Sequence, residues 1–344
     1  MSSHQKNILI VGAGFSGSVI GRTLAEAGYN ITIIDKRDHI AGNAYDYTNK
    51  HGIRIHKYGP HLFHTKMQDV WEYLSRFTKW VDYQHKVKAL LKDGRHVTLP
   101  VNAETAQIVG KENVIDIFIR PYTKKMWGME IEQLDPSIIS RIPMRDDMNE
   151  LYFPSDTYQG MPADGYHRLF ENMLDHPNIT LKINTSFTPE MIPYYSHVFN
   201  SMPIDEYYNF KFGELPYRSI KFSTVDVPFE KLLPATTVNF THDGPYTRVT
   251  EWKNIPNHGA NPYVTTLTYE EPCDYRDNDM QRYYPVKDLD GVNRTNYLQY
   301  LNYNRENEPK MQFIGRCGMY AYLNMDEAVS SALAIAKKYK SNAN

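Results

Sequence analysis

The first strand, the glycine-rich turn after it and the acidic residue that closes the next strand constrain this chain more than any other part of it. Asn7–Val11 is a short apolar run, and Gly12-Ala13-Gly14-Phe15-Ser16-Gly17 is a turn. Residues 18–27 then repeat apolar side chains at helical spacing until Gly28 stops them. Residues 31–34 are a second buried strand, ending in Asp35. A strand–helix–strand unit of this length implies a right-handed parallel pairing. The three glycines have separate tasks. Gly12 permits the tight turn, Gly14 lets backbone approach a pyrophosphate, and Gly17 lets helix pack on strand. The helix start adds orphan amide hydrogens and partial positive charge for a diphosphate. Asp35, about 20 residues beyond the turn, can accept both ribose hydroxyls of an adenosine and repels a 2′-phosphate. The unit therefore reads as a dinucleotide site, and by itself leaves NAD and FAD both open.

The remainder alternates between helical and strand patterns. Residues 86–91 and 96–101 flank Lys92-Asp93-Gly94-Arg95, a hairpin signal. Helical stretches are expected at 112–122, 135–140 and 164–175, and short strands near 179–183, 198–203 and 311–315. From 218 to 272 apolar and polar residues alternate with Thr and Tyr enrichment, which predicts an antiparallel sheet. Asp326 is expected to cap a final helix with Val329, Ala332, Leu333 and Ala336 on its apolar face. The nucleotide-binding unit is thus assembled from both ends of the chain, with a helical and a β insertion between.

Charge and cysteine usage narrow the partners. Lys plus Arg is 38 against 40 Asp plus Glu, a net charge of −2, which argues against non-specific nucleic-acid binding. Two cysteines exclude a disulfide framework and a four-cysteine metal site, and no metal is expected; the reading is of a cytoplasmic protein in a reducing compartment. No run of about 20 apolar residues exists, so no membrane span is expected. The 27 tyrosines can line a polar ligand cleft, each with an apolar ring and a hydrogen-bonding tip. Two stretches favour FAD over NAD: residues 35–43, a charged then glycine-containing turn after the ribose acid, and Ile314-Gly315-Arg316 ahead of the last helix.

Seven strings carry a family likeness. They are Ile10-Val11-Gly12-Ala13-Gly14-Phe15-Ser16-Gly17, Tyr58-Gly59-Pro60-His61-Leu62-Phe63-His64-Thr65, Tyr122-Thr123-Lys124-Lys125-Met126-Trp127-Gly128, Arg141-Ile142-Pro143-Met144-Arg145, Pro245-Tyr246-Thr247-Arg248, Tyr283-Tyr284-Pro285 and Gly315-Arg316. Through them the chain resembles the bacterial UDP-galactopyranose mutases over nearly its whole length. The resemblance implies an α/β fold: a Rossmann-like FAD-binding domain, a small helical insertion and an antiparallel β-sheet domain. It places the FAD domain at 1–80, 194–218 and 308–344, and a reduced helical domain at 102–150 with a mobile lid near 128–136. The sheet and substrate domain would be 81–101, 151–193 and 219–307.

The implied activity is a non-redox interconversion of UDP-galactopyranose and UDP-galactofuranose, in which N5 of reduced FAD attacks the anomeric carbon and UDP leaves. The flavin then supplies the nucleophile, and the protein has to neutralise a departing diphosphate. By the resemblance Arg141 and Arg248 hold that diphosphate, a task suited to a planar guanidinium, and His64 joins them as a catalytic group near the flavin. Tyr152, Tyr284 and Tyr322 hydrogen-bond the phosphates. His85, Tyr122, Thr123, Trp127 and Asn239 complete the substrate pocket. Beyond Gly12, Gly14 and Gly17, the implied FAD contacts are Ser16, Asp35, Lys36, Asn43, His61, Leu62, Arg218, Arg316, Asn324, Met325 and Asp326. A reductant such as NAD(P)H is an implied partner, and a homodimer a possible one.

The chain also departs from the family pattern. It is shorter between Val101 and Tyr122, a region used in the bacterial dimer, so the dimer is in doubt. Ala41 precedes Gly42-Asn43 where the family usually has Gly, Met202 precedes Pro203 where Gly is common, Asn324 replaces an Asp and His85 an Asn. Three other readings stand beside the main one: the same chemistry on UDP-N-acetylgalactosamine or a deoxyhexose nucleotide, an amine-oxidase-type FAD oxidoreductase, and a non-catalytic nucleotide-sugar binder. Fold alone does not separate them.

Overall fold

A run such as Asn-Ile-Leu-Ile-Val, apolar on both faces, is stable as a strand only when both faces are covered. In the computed structural model, which describes residues 7–133 and 144–343, that run is the centre of a five-stranded parallel sheet. The order across the sheet is Ile179–Lys182, Asn30–Ile34, Asn7–Val11, His197–Asn200 and Met311–Phe313. Helices Phe15–Ala25 and Met325–Ala343 pack on one another over this sheet, with Val19, Ile20, Leu24, Val329, Ala332 and Ala336 buried. The register aligns Val11 with Ile34 and with Asn200, and Asn200 with Phe313. The residues that follow those strand ends (Gly12, Asp35, Ser201, Gly315) therefore gather along one edge, where open α/β sheets bind their ligands.

The alternating region builds a second sheet of seven strands, in the order Tyr284–Pro285, Tyr217–Val227, Thr265–Asp274, Arg248–Glu251, Thr237–Phe240, Val87–Leu90 and His96–Leu99. Its pairings are antiparallel except for Thr237–Phe240 beside Val87–Leu90, which is parallel. The expected hairpin is the pair Val87–Leu90 and His96–Leu99. A three-stranded sheet pairs Phe63–Thr65 and Trp80–Asp82 on either side of Tyr158–Pro162.

Four local expectations are corrected. The strand Ile179–Lys182, grouped by sequence with the sheet domain, pairs in parallel with Asn30–Ile34 and belongs to the first sheet. Residues 112–122 are not one regular helix: a π-turn at Ile115–Ile119 leads into the helix Arg120–Trp127. Residues 292–307, read as part of the β region, form a 16-residue helix. Its polar surface hid it, but Tyr297, Tyr300 and Asn304 are its buried residues, at helical spacing. Asp326 lies inside the first turn of the last helix; the cap position is Asn324, whose carbonyl accepts from Ala328 N–H and whose own N–H is held by the Glu327 carboxylate. The expected helix at 135–140 lies outside the described residues.

Candidate functional site

Two cavities, of about 490 and 350 Å³, meet at His61, Arg316, Asn324 and Met325. The larger runs along the edge of the parallel sheet. Gly14 caps the helix Phe15–Ala25 without a side-chain acceptor, so the amides of the first turn are left open to an anion. Gly12 has φ +103°, and a Cβ there would fall 2.1 Å from Ser201 Oγ; a Cβ on Gly17 would fall 2.0 Å from the Gly12 carbonyl oxygen. The Gly42 turn packs backbone to backbone on Gly14, with Ala41 N–H donating to the Ala13 carbonyl at 2.9 Å. Asp35, 8% exposed, accepts from the amides of Ala13 at 2.8 Å and Arg37 at 2.9 Å. Those two bonds fix the carboxylate at the cleft edge, where it can still receive hydroxyl donors. Glycine cradle, uncapped helix start and fixed acid together fit the diphosphate and ribose of a dinucleotide.

Of the expected cofactor contacts, Gly12, Gly14, Ser16, Gly17, Asp35, Lys36, Asn43, His61, Arg316, Asn324 and Met325 line this cleft. Leu62 lines the second cavity instead. Arg218 and Asp326 line neither. The Arg218 guanidinium donates to the carbonyls of Met126 at 2.8 Å and Lys125 at 3.2 Å, which satisfies the end of the helix Arg120–Trp127. Asp326 accepts from Thr65 Oγ1 at 2.9 Å, tying the last helix to the strand Phe63–Thr65. Arg37 was missed by sequence reasoning: it lines the cleft, stacks 4.4 Å over Tyr58 and donates to Asn43 at 2.9 Å.

The smaller cavity is built from one row of the seven-stranded sheet. Asn239 lies opposite Arg248, Arg248 opposite Glu270, and Glu270 opposite Phe222. Residues directly opposite share a face, and all four line the cavity. The helix Arg120–Trp127 closes it from the other side. Tyr122, Thr123, Met126 and Trp127 share one helical face, and Lys125 Nζ anchors the helix to the carbonyls of Phe240 and Tyr246 at 3.2 and 3.0 Å. His64, His85, Tyr152, Tyr284 and Tyr322 complete the expected lining. Arg141 lies outside the described residues, and the expected lid near 128–136 is described only as far as Gln133.

Charge is concentrated in this cavity. Arg248 Nε lies 2.8 Å from Glu270 Oε2, and Glu270 is 1% exposed. Burial opposes the charge on Arg248, but Glu270 holds the guanidinium cationic and raises its pKa. Burial raises Glu270 in turn, opposed by Arg248. Glu270 Oε1 and Asn239 Oδ1 are buried with no partner among the described residues, two acceptors available to ligand hydroxyls. Arg316 donates to the carbonyls of Tyr283 and Leu323 and lies 5.0 and 5.1 Å from the Tyr284 and Tyr322 ring centres, so its orientation is fixed. Among the described residues that line it, the cavity carries three cations, Arg248, Lys287 and Arg316, against the single carboxylate of Glu270. Burial pushes the phenols of Tyr122, Tyr152 and Tyr284 up, which keeps them neutral donors.

Histidines set the turn between the cavities. His61 N–H donates to His56 Nδ1 at 3.0 Å, His56 and His258 share a 3.0 Å Nε2–Nε2 bond, and His258 Nδ1 donates to the Pro256 carbonyl at 2.8 Å. This chain fixes every tautomer, with both rings neutral. His61 Nδ1 donates to the Gly59 carbonyl at 2.9 Å, leaving Nε2 as an acceptor. Burial, reinforced by Arg316 and Arg248, lowers its pKa to about 4.

A sequence profile described as UDP-galactopyranose mutase matches residues 117–322, and one described as an NAD(P)-binding Rossmann-like domain matches residues 10–77. A probable UDP-galactopyranose mutase of Klebsiella pneumoniae is 35% identical, covering 98% of this chain and 96% of its own. A dTDP-fucopyranose mutase of Escherichia coli is 34% identical over 97% and 98%. A crystal structure of reduced UDP-galactopyranose mutase shares the fold at 14% identity, with a TM-score of 0.74 over 97% of this chain and 94% of that one.

Proposed function

The chain belongs to the UDP-galactopyranose mutase family of flavin-dependent isomerases, and from that premise we propose that it interconverts UDP-galactopyranose and UDP-galactofuranose on reduced FAD. The observation that carries this reading is the junction of two cavities at His61 and Arg316, one suited to a dinucleotide and the other rich in cations and phenols. An amine substrate has no use for three cations around its site; a nucleoside diphosphate sugar does.

A reduced flavin, whose dinucleotide the cleft of Gly12, Gly14, Gly17 and Asp35 would hold, would supply an electron-rich nucleophile for the anomeric carbon. The chain's own residues do the rest. Arg248 and Arg316 offer guanidinium donors to the diphosphate, and both are held before substrate arrives, so little reorganisation is needed as charge develops. Tyr152, Tyr284 and Tyr322 line the same wall, where phenol hydroxyls can donate to phosphate oxygens. Asn239 and Glu270 present acceptors to sugar hydroxyls. Tyr122 and Trp127 form an apolar wall against water, which would otherwise divert the sugar to hydrolysis.

A deoxyhexose nucleotide is the second reading, favoured by the near-equal identity to the dTDP-fucopyranose mutase. The test is direct. The purified protein is expected to be yellow; after dithionite reduction it converts UDP-galactofuranose to the pyranose, resolved by nucleotide-sugar chromatography, without stoichiometric consumption of reductant. A parallel assay with dTDP-fucofuranose ranks the two sugars by kcat/KM. A colourless protein that cannot be reconstituted with FAD overturns the flavin reading. A yellow protein inactive on both sugars overturns the mutase reading.

A further inference from the structure

His64, on the wall of the smaller cavity, forms a close pair with Asp156. His64 Nδ1 lies 2.6 Å from Asp156 Oδ2, with both side chains mostly buried. The imidazole is stacked on Phe153, centroids 3.5 Å apart and planes 12° from parallel. Phe153 lines the same cavity. The loop bearing Phe153 and Asp156 is fixed by Gln159, whose side-chain amide donates to the Phe153 and Asp156 carbonyls at 2.8 and 3.1 Å. Gln159 is itself directly opposite His64 in the strand pair Phe63–Thr65 and Tyr158–Pro162. The ring is thus held in plane by Phe153, in tautomer by Asp156, and in position by the sheet. Because Nδ1 donates to the carboxylate, Nε2 is the atom that exchanges a proton.

Ring exchange in a hexose needs such an atom. When the pyranose opens, the C1–O5 bond breaks and O5 gains a proton. When the furanose closes, the C1–O4 bond forms and O4 loses one. The two transfers balance, and no proton is gained or lost overall. O4 and O5 sit on adjacent carbons, so one nitrogen can serve both. Resting on the mutase reading, we propose that His64, as an imidazolium stabilised by Asp156, gives its Nε2 proton to one ring oxygen as the first ring opens and, as the neutral imidazole, takes one back from the other as the second ring closes.

The charged and titratable groups around the pair are consistent with that task. Lys66 Nζ lies 3.9 Å from Asp156 Oδ1, exposed to solvent, and does not displace the imidazole. His85, beyond Phe153 with ring centres 6.3 Å apart, stays neutral through burial and the nearby Arg248, and so does not compete for the proton. General acid–base groups contribute roughly 10²–10⁴-fold.

The holoenzyme, reduced and supplied with UDP-galactofuranose, tests this. His64→Asn is expected to lower kcat about 100-fold or more, on the scale of general acid–base catalysis, and to remove the histidine limb of the kcat pH profile. Asp156→Asn is expected to lower kcat less and to shift that limb to lower pH. UDP affinity by titration and the bound-flavin spectrum are expected to stay within twofold and unchanged in both variants, which separates proton transfer from a collapsed pocket. Ring exchange in the wild type, with His64→Asn keeping its kcat and pH profile, overturns this assignment alone. So does a loss of UDP affinity that matches the loss of kcat. Absence of ring exchange in the wild type, on either nucleotide sugar, overturns the mutase reading and this assignment with it.

Discussion

Arg248 and Glu270 face each other across neighbouring strands, Nε to Oε2 at 2.8 Å, with Glu270 sealed from solvent. The pair keeps a guanidinium cationic inside a cavity, and each partner is costly without the other. Removing one side of a buried ion pair costs about 3–5 kcal/mol, because a bare charge is left behind. Arg248→Ala is therefore expected to lower both thermal stability and turnover, the latter by about 2–5 kcal/mol of transition-state binding. Arg248→Ala with Glu270→Gln is expected to regain much of the stability and none of the turnover. Thermal melts and kcat/KM on the double-mutant cycle check this; recovery of activity in the double variant would refute a diphosphate role for Arg248.

Acid is expected to unfold this protein earlier than its near-neutral charge suggests. Burial lowers the pKa of His61 to about 4, His85 to about 3, His197 and His258 to about 4, and takes His56 well below its ordinary value. In each case the native pKa lies below that of the unfolded chain. The unfolded state then binds more protons between about pH 6.5 and 4, so stability is full above that window and falls as pH drops through it. Each histidine contributes a slope of about 1.4 kcal/mol per pH unit there. The buried carboxyls of Asp46, Asp205 and Glu270, raised by burial, work in the opposite sense. Proton uptake on unfolding at pH 5, measured by calorimetry in buffers of different ionisation enthalpy, is expected to be large and positive. It is expected to fall by about one in His85→Asn, since one such group is removed.

The parts of this chain legible in its sequence are those where a single segment decides the outcome. Gly12, Gly14, Gly17 and Asp35 are local, and their backbone demands follow from spacing alone. The resemblance carried further residues into place, because its strings hold His61, His64, Tyr122, Trp127, Arg248, Tyr284 and Arg316. What stayed hidden depends on register. Asn239, Arg248, Glu270 and Phe222 form one row only because four strands pair as they do, and no spacing within a strand announces it. Asp156 is likewise invisible as the partner of His64 until the strand bearing Gln159 is paired.

Gly17 shows how local demand becomes a measurable cost. A methyl there would meet the Gly12 carbonyl at 2.0 Å, and neither backbone can yield without moving the helix off the strand. Gly17→Ala is expected to lose bound flavin altogether and to lower the melting temperature strongly. Gly52 is the control: its φ of +74° is unfavourable for alanine, but a Cβ there would meet nothing within 4 Å. Gly52→Ala is expected to cost only about 1–2 kcal/mol and to keep its flavin. Absorbance at the flavin band per mole of protein and a thermal melt on both variants decide it.

Arg218 separates a cofactor contact from a substrate-side brace. Its guanidinium holds the carbonyls of Met126 and Lys125, and Gly128, at φ +66°, ends the same helix directly beside it. Tyr122, Thr123 and Trp127 reach the cavity from that helix, so whatever loosens its end blurs the substrate pocket and leaves the dinucleotide cleft untouched. Arg218→Ala is expected to raise KM for the nucleotide sugar several-fold while flavin content and affinity stay at wild-type values. Arg218→Lys is expected to recover part of the KM, since an ammonium can meet one carbonyl but not both in the planar geometry of a guanidinium. Loss of flavin from Arg218→Ala at an unchanged KM would return this residue to the cofactor site.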